Sequence, residues 1–366
     1  KKGFIMDADY ILAINPGATS TKIAVFRNNS SVFLKSIRHD CGDLEKFSKT
    51  ADQLPYRLNL VLSEVKENHI PHDRVGMIIA RGGLIHPLES GVYEVNEAMI
   101  RDLSEGVMGD HASNLGGLIA QRLLDTFTRA KAYIADPVVV DELEEVARIS
   151  GHPEFQRISI FHALNQKSVA RTHAQSMGKE YEDLNLVVAH LGSGISVGAH
   201  QKGRVVDVNN ALDGEGPFGP ERSGTLPNGA LARHCFQEGN SWENVRKMLT
   251  GEGGMFAYLG HKDAQRLEKM AVEGDPEARL IHDAMAYQVS KEIGGLAAAM
   301  SGQVDGILIT GGMAHNPLLT NAIKGRVEFV APVFIYPGED EMRALAHNGS
   351  LLLSGNVSAK QYIGKK

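Results

Sequence analysis

Apolar and polar positions along this chain switch between a period of two and a helical period, and the first switch comes early. "YILAINPGATSTKIAVF" (residues 10–26) is an apolar run, a polar turn and a second apolar run, which predicts strand, turn, strand. "RNNS" then turns the chain into a third β-prone run, "SVFLKSI". The same order returns about half the chain later. In "LVVAHLGSGISVGAHQKGRVVDV" (residues 186–208) an apolar run ends at His190. A glycine turn, a strand, a short turn and a further strand follow. One supersecondary unit opening each half predicts two duplicated α/β domains.

Helical spacing fills the intervals. "PYRLNLVLSEVKENHIP" aligns Leu58, Val61, Leu62 and Val65 on one face and stops before Pro71, and "SNLGGLIAQRLLDTF" is a second amphipathic helix ahead of the β-prone "AKAYIAD". "PEARLIHDAMAYQVSKEIGGLAAAM" repeats Ile281, Met285, Val289, Ile293, Leu296 and Met300 as a core face. "VDGILITGGMAHNPLL" reads as strand, double-glycine turn and a helix capped by Asn316 with Pro317 first. "EFVAPVFIYPGEDEMRALAHNGSLLL" adds a strand, a turn and a last helix. The domain boundary falls near the helix "FHALNQKSVARTHAQSMG". Residues 10–165 with 335–366 form one expected domain and 166–334 the other.

Composition narrows the classes. The 366 residues, 43% hydrophobic and 22% charged, suffice for about two full cores. Thirty-eight basic against 44 acidic residues, without a dense basic run, argue against a nucleic-acid partner. Two cysteines without a CxxC motif fit a reducing, cytoplasmic setting, and no apolar run approaches the ~18 residues of a membrane span. The opening "KKGFI" reads as a leader without catalytic interest.

Three glycine turns each follow an apolar strand: "NPGATS", "HLGSGIS" and "TGGMAHN". Gly17 lets backbone N–H groups approach an anion, Thr19 and Ser20 offer hydroxyls, and Lys22 supplies charge. Gly192, Ser193 and Gly194 form the second turn, and Gly311, Gly312 and Asn316 belong to the third. Two such turns can hold opposite sides of a polyphosphate while the third grips the nucleotide.

With these motifs the chain resembles the acetate and butyrate kinases, within the superfamily of acetate and sugar kinases, heat-shock ATPases and actin. "ILAINPGATSTKIAVF" is similar to their first phosphate motif, "VVAHLGSGISVGAH" to the second and "ILITGGMAHN" to the adenosine motif, and the match spans roughly residues 10–350. "NPGATSTK", "RGG", "GEGPFGPERSGTLPNG" and "GGMAHN" side with the butyrate kinase branch. The resemblance implies two actin-like (ribonuclease H-like) ATPase domains with a nucleotide cleft between them. It implies reversible transfer of phosphoryl from ATP to butyrate, with Mg²⁺ as cofactor and a homodimer or larger homo-oligomer.

A carboxylate nucleophile is already ionised at neutral pH, so this reaction needs no general base. Its difficulty is charge: two unit charges 4 Å apart repel by about 4 kcal/mol at an effective dielectric near 20. By resemblance Arg81 holds the substrate carboxylate. Arg222 binds the acid and the transferring group, and His162 donates to the phosphoryl oxygens. His190 meets the γ-phosphate, and Asn15 joins the phosphate side. Asp136, at the end of its strand, and Glu341 serve magnesium with Asn15, although Glu339 and Asp340 stand close enough to exchange roles. Acetate kinases carry bulky apolar residues where this chain has Gly82 and Gly83. That difference leads to the expectation that the glycines admit the longer acyl chain, with Phe161 as another wall; each buried methylene is worth ~0.8 kcal/mol. Rival readings are a kinase for acetate, propionate or branched short acids, a sugar kinase of the same superfamily, and a nucleotide-dependent binding protein.

Overall fold

Strand pairing follows the two meanders of the sequence. The computed structural model describes residues 10–365, and the opening "KKGFI" lies outside the described residues. In the first sheet β1 (Tyr10–Pro16), β2 (Ser20–Arg27) and β3 (Ser30–Arg38) form an antiparallel meander with Asn15 paired to Lys22. On the other side of β1, β4 (Val75–Arg81) runs parallel, β5 (Val92–Glu94) lies near the far edge, and β6 (Lys131–Ala135) sits between them. A short strand, Lys360–Gln361, pairs with β5. The second sheet repeats the plan. There β7 (Asn185–Leu191), β8 (Ile195–Gln201) and β9 (Arg204–Val208) form the meander, and β10 (Gly306–Gly311) and β11 (Val333–Pro337) continue in parallel from β7.

Burial explains which runs became central. Every residue of β7 is buried, as are all but the first of β1, in keeping with unbroken apolar runs at the middle of a covered sheet. β3 is an edge strand with Val32 and Leu34 exposed, and Lys35 on it discourages further pairing. In the second unit the helix Pro276–Ala299, capped by Asp275, lays Ile281, Met285, Val289, Ile293 and Leu296 into the core with Val187, Ala189, Ile307 and Ile309. Met300, just past its end, joins them.

The chain divides into two compact units: residues through Val140 with Asp340 onward, and Asp141–Glu339. The sequence boundaries at 165/166 and 334/335 differ from these divisions. Residues 141–165 belong to the second unit because their polar groups are satisfied there. Glu142 takes the buried Lys167 ammonium at 2.8 Å and the Val205 N–H at 2.8 Å, and Arg157 reaches Asp207 at 2.8 Å and the Val208 carbonyl at 3.0 Å.

Helix Leu54–Glu67 corrects one apolar face. Its buried stripe is Arg57, Val61 and Val65, spaced by four, while Leu58 and Leu62 are half-buried. Gly82 and Gly83 also need correction, because they open no space for an acyl chain. A Cβ on Gly82 would stand 3.0 Å from Pro137 Cα, and one on Gly83 would stand 2.6 Å from Asn114 Cα and 2.8 Å from Asn114 N. Both glycines are needed for close backbone packing just after Arg81. Gly116 does the same from the helix Leu115–Leu123, where a Cβ would strike the Arg81 carbonyl oxygen. We therefore expect Gly83→Ala to lower the unfolding free energy in urea by about 1–3 kcal/mol. Gly151→Ala, on an open surface, should stay within about 0.5 kcal/mol of the parent. Equal stability of the two variants would contradict this packing account.

Candidate active site

In the first unit the polar groups gather where β1 and β4 end. Asn15, next to last in β1, is buried and donates from Nδ2 to Glu341 Oε2. Arg81, the last residue of β4, meets Glu341 Oε1 at 3.1 Å and Oε2 at 3.4 Å. Glu341 opens the helix Glu341–Leu353, whose cap is Asp340, accepting from the Arg343 N–H at 3.1 Å. The three acidic neighbours thus separate by position. Asp340 caps a helix, Glu341 joins Asn15 and Arg81, and Glu339, in the second unit, lies 3.1 Å from His190 Nε2.

The first glycine turn is held by a residue that sequence reading missed. Arg57 is fully buried, and its guanidinium donates to the carbonyls of Gly17 at 2.8 Å, Ala18 at 3.1 Å and Ser20 at 3.2 Å, and to Thr21 Oγ1 at 3.2 Å. Gln53 Oε1 accepts two further bonds. His39 completes the support, its N–H on the Thr19 carbonyl and its Nε2 2.9 Å from Thr21 Oγ1. The Gly17 N–H itself donates to Ser20 O within the turn at 2.7 Å. Ala18, Thr19 and Lys22 are exposed, and Ser20 is half-buried. Burial lowers the Arg57 pKa to about 10, which leaves it charged at neutral pH. Burial, and then the Arg57 charge, lower His39 from 6.5 to about 4.

Asp136 departs from the expected cleft edge. It follows β6 with a positive φ of 36°, is buried, and accepts at Oδ1 from Ser90 Oγ at 2.6 Å and the Gly91 N–H at 2.9 Å. That carboxylate oxygen serves the 90–91 turn. Among the described residues no three His, Cys, Asp or Glu side chains converge as a metal cage. Glu341 and Asn15 nonetheless supply the hard oxygen donors that suit Mg²⁺, an ion that keeps several waters and phosphate oxygens and needs few protein ligands.

The second unit brings His162, His190 and Arg222 to the second glycine turn. His190, fully buried, sits beside Asn165 Oδ1 with its Nδ1 at 2.7 Å. Its ring stacks on that of His162 with centroids 3.8 Å apart and planes 8° from parallel. Arg222 donates from Nη1 to the Ala211 carbonyl at 2.7 Å, and the Ala211 N–H donates in turn to Ile160 O at 2.9 Å, beside buried Phe161. This guanidinium lies where a side chain on Gly194 would be: a Cβ there would stand 2.7 Å from Arg222 Cζ and 2.8 Å from the Ala211 carbonyl oxygen, so the turn packs closely at that glycine.

The second and third turns share a cavity of about 620 Å³. Gly192, Ser193, Gly312 and Asn316 line it together with Pro220, Lys262, Gln265 and His315. Asn316 also caps the helix Pro317–Val327, accepting from the Leu319 N–H at 3.0 Å. Gly311 has a φ of +93°, and a Cβ there would strike the backbone of Leu191, so β7 and the third turn touch closely. The stretch around Lys262 and Gln265 carries no glycine signature, and sequence reading passed over it.

The chain is similar to known proteins over nearly its whole length. A model described as the acetokinase family matches residues 156–329. Butyrate kinase 2 and butyrate kinase 1 of Clostridium acetobutylicum are each 49% identical to this chain over 352 residues, covering 96% of it and 99% of those proteins. Among solved structures, acetate kinase of Porphyromonas gingivalis gives a TM-score of 0.77 at 18% identity, covering 94% of this chain and 100% of that one. A propionate kinase from Francisella tularensis subsp. tularensis SCHU S4 gives 0.74 at 17%, covering 94% and 99%. At such identity the likeness shows the fold alone, an α/β architecture of two units with one sheet each.

Two outcomes follow from the Arg57 arrangement. Arg57→Met removes the side-chain donor from the Gly17, Ala18 and Ser20 carbonyls, of which Ser20 O keeps the Gly17 N–H, and should cost about 2–4 kcal/mol in denaturant unfolding; a loss below about 0.5 kcal/mol would contradict the role. His39 is neutral when folded and takes a proton on unfolding at lower pH. Its contribution is therefore complete above about 6.5 and is lost as pH falls toward about 4. Melting temperature should drop across that window, and the drop should be shallower in His39→Gln.

Proposed function

Because the chain belongs to the acetokinase family, we propose that it transfers the γ-phosphoryl group of ATP to butyrate, giving ADP and butyryl phosphate reversibly. The observation that carries this reading is the 49% identity to butyrate kinases sustained over 96% of the chain. The Asn15–Arg81–Glu341 cluster and the His162–His190–Arg222 cluster supply chemistry suited to it.

In the proposed reaction a carboxylate oxygen of the acid attacks the γ-phosphorus. The bond from that phosphorus to the bridging oxygen breaks, ADP leaves with the electron pair, and no proton changes hands. Arg81, already fixed by Glu341, offers its remaining N–H donors to the acid carboxylate. Arg222 and His162 donate to the oxygens of the transferring group, on which charge builds. In this reading the cavity beside the second and third turns takes the adenosine, with Ser193 on the phosphate side of that cavity. Mg²⁺ bound with ATP would be held by Glu341 and Asn15 and would supply neutralisation of phosphate charge.

Hydroxylamine trapping of acyl phosphate across an acid series tests the reading. Butyrate is expected to give the highest kcat/KM, while a maximum at acetate, propionate or a branched acid would reassign the substrate. Arg81→Gln should lower kcat/KM for the acid by about 10²–10³-fold, as loss of one charged donor to a reacting oxyanion does, with ATP binding nearly unchanged. An undiminished kcat/KM would remove Arg81 from the reaction.

A further inference from the structure

Behind His162 runs a line of buried polar groups that the proposed reaction does not use directly. Its starting point is the Gln166 amide, oriented by a backbone carbonyl: Nε2 lies 3.0 Å from Ser196 O, which can only accept. Oε1 therefore faces His200 Nε2 at 2.9 Å, and that nitrogen carries the hydrogen. His200 is wholly buried. Burial first, then the charges of Lys167 and Arg171, hold its pKa well below the ordinary value, so the ring is neutral. Its Nδ1 then accepts from the Tyr181 hydroxyl at 2.7 Å.

The other end is equally constrained. The second Nε2 hydrogen of Gln166 goes to Ser196 Oγ at 2.8 Å, and the His162 backbone N–H approaches the same oxygen at 3.5 Å. With both lone pairs engaged, the Ser196 hydrogen points to His162 Nδ1 at 2.9 Å. A neutral imidazole that accepts at Nδ1 carries its hydrogen on Nε2.

We propose that Tyr181, His200, Gln166 and Ser196 are positioning residues whose hydrogen bonds all run one way and hold His162 as the Nε2–H tautomer, the form that donates to the transferring phosphoryl group. This inference rests on the role given to His162 above. The opposite tautomer would present a lone pair at Nε2 to anionic oxygens and repel them. Ser196, Gln166 and His200 are fully buried and Tyr181 nearly so, which leaves no bulk water to reverse the order.

The experiment is nitrogen-15 NMR of the histidine-labelled protein, with the His162 signals assigned by difference from His162→Gln. At a pH where the ring is neutral, the parent should show Nε2 protonated and Nδ1 bare. Ser196→Ala should give mixed tautomers. It should lower kcat by about 10–100-fold, the usual loss when a group supporting a functional histidine is removed. KM values for ATP and acid should stay within about twofold. Ser196→Thr, which keeps the hydroxyl, should restore both tautomer and kcat. A parent spectrum with Nδ1 protonated, or an unchanged tautomer in Ser196→Ala, would overturn the proposal. If Ser196→Ala fails to fold, the parent spectrum decides alone. The tautomer is read without turnover. Failure of the kinase reading would therefore appear as missing acyl phosphate with the tautomer intact, distinct from failure of the chain.

Discussion

A guanidinium group drawn out of water must be met by oxygen acceptors, and three arginines show this to different degrees: Arg57, fully buried, and half-buried Arg81 in the first unit, and half-buried Arg222 in the second. Arg57 is met by the backbone of the first glycine turn, so the turn and the arginine specify each other. Arg81 is met by Glu341, which also receives Asn15. Arg222 is met by the Ala211 carbonyl and lies in space that a side chain at position 194 would fill. Arg57 is spent on the turn it supports, while Arg81 and Arg222 are held by their acceptors before any ligand arrives, as the preorganised donors of the proposed transfer between anions would be.

Strand direction delivers these groups. Asn15 and Arg81 stand at the carboxyl ends of β1 and β4, and His190 and Gly311 stand at those of β7 and β10. Ligands of open α/β sheets bind beyond the carboxyl ends of parallel strands. The duplicated topology gives each unit such an end, and the residues there differ. The first unit carries the Arg81–Glu341 pair, and the second carries the stacked histidines and the cavity.

Much of this was legible in the chain. Both meanders, the core face from Ile281 to Leu296 and the cap at Asn316 follow from periodicity and turn chemistry, which are local. What escaped depends on contacts between distant residues. Arg57 interrupts an apolar stripe at the spacing of Val61 and Val65, and that break was the available signal of a buried functional charge. Gly82 and Gly83 show the converse error: a missing side chain can mean that another backbone already fills the place. The unit boundary escaped because residues 141–165 carry no pattern of their own. The Lys167–Glu142 pair and the Arg157 bonds assign them to the second unit.

Direct attack by a carboxylate oxygen on the γ-phosphorus of ATP is the step on which the proposed function rests. Butyrate labelled with oxygen-18 in its carboxyl group places the question in a single phosphorus-31 NMR spectrum. The account predicts an acyl phosphate whose phosphorus signal shows the isotope shift of a directly bonded heavy oxygen, formed in step with ADP. ADP appearing with inorganic phosphate and no labelled acyl phosphate would contradict it.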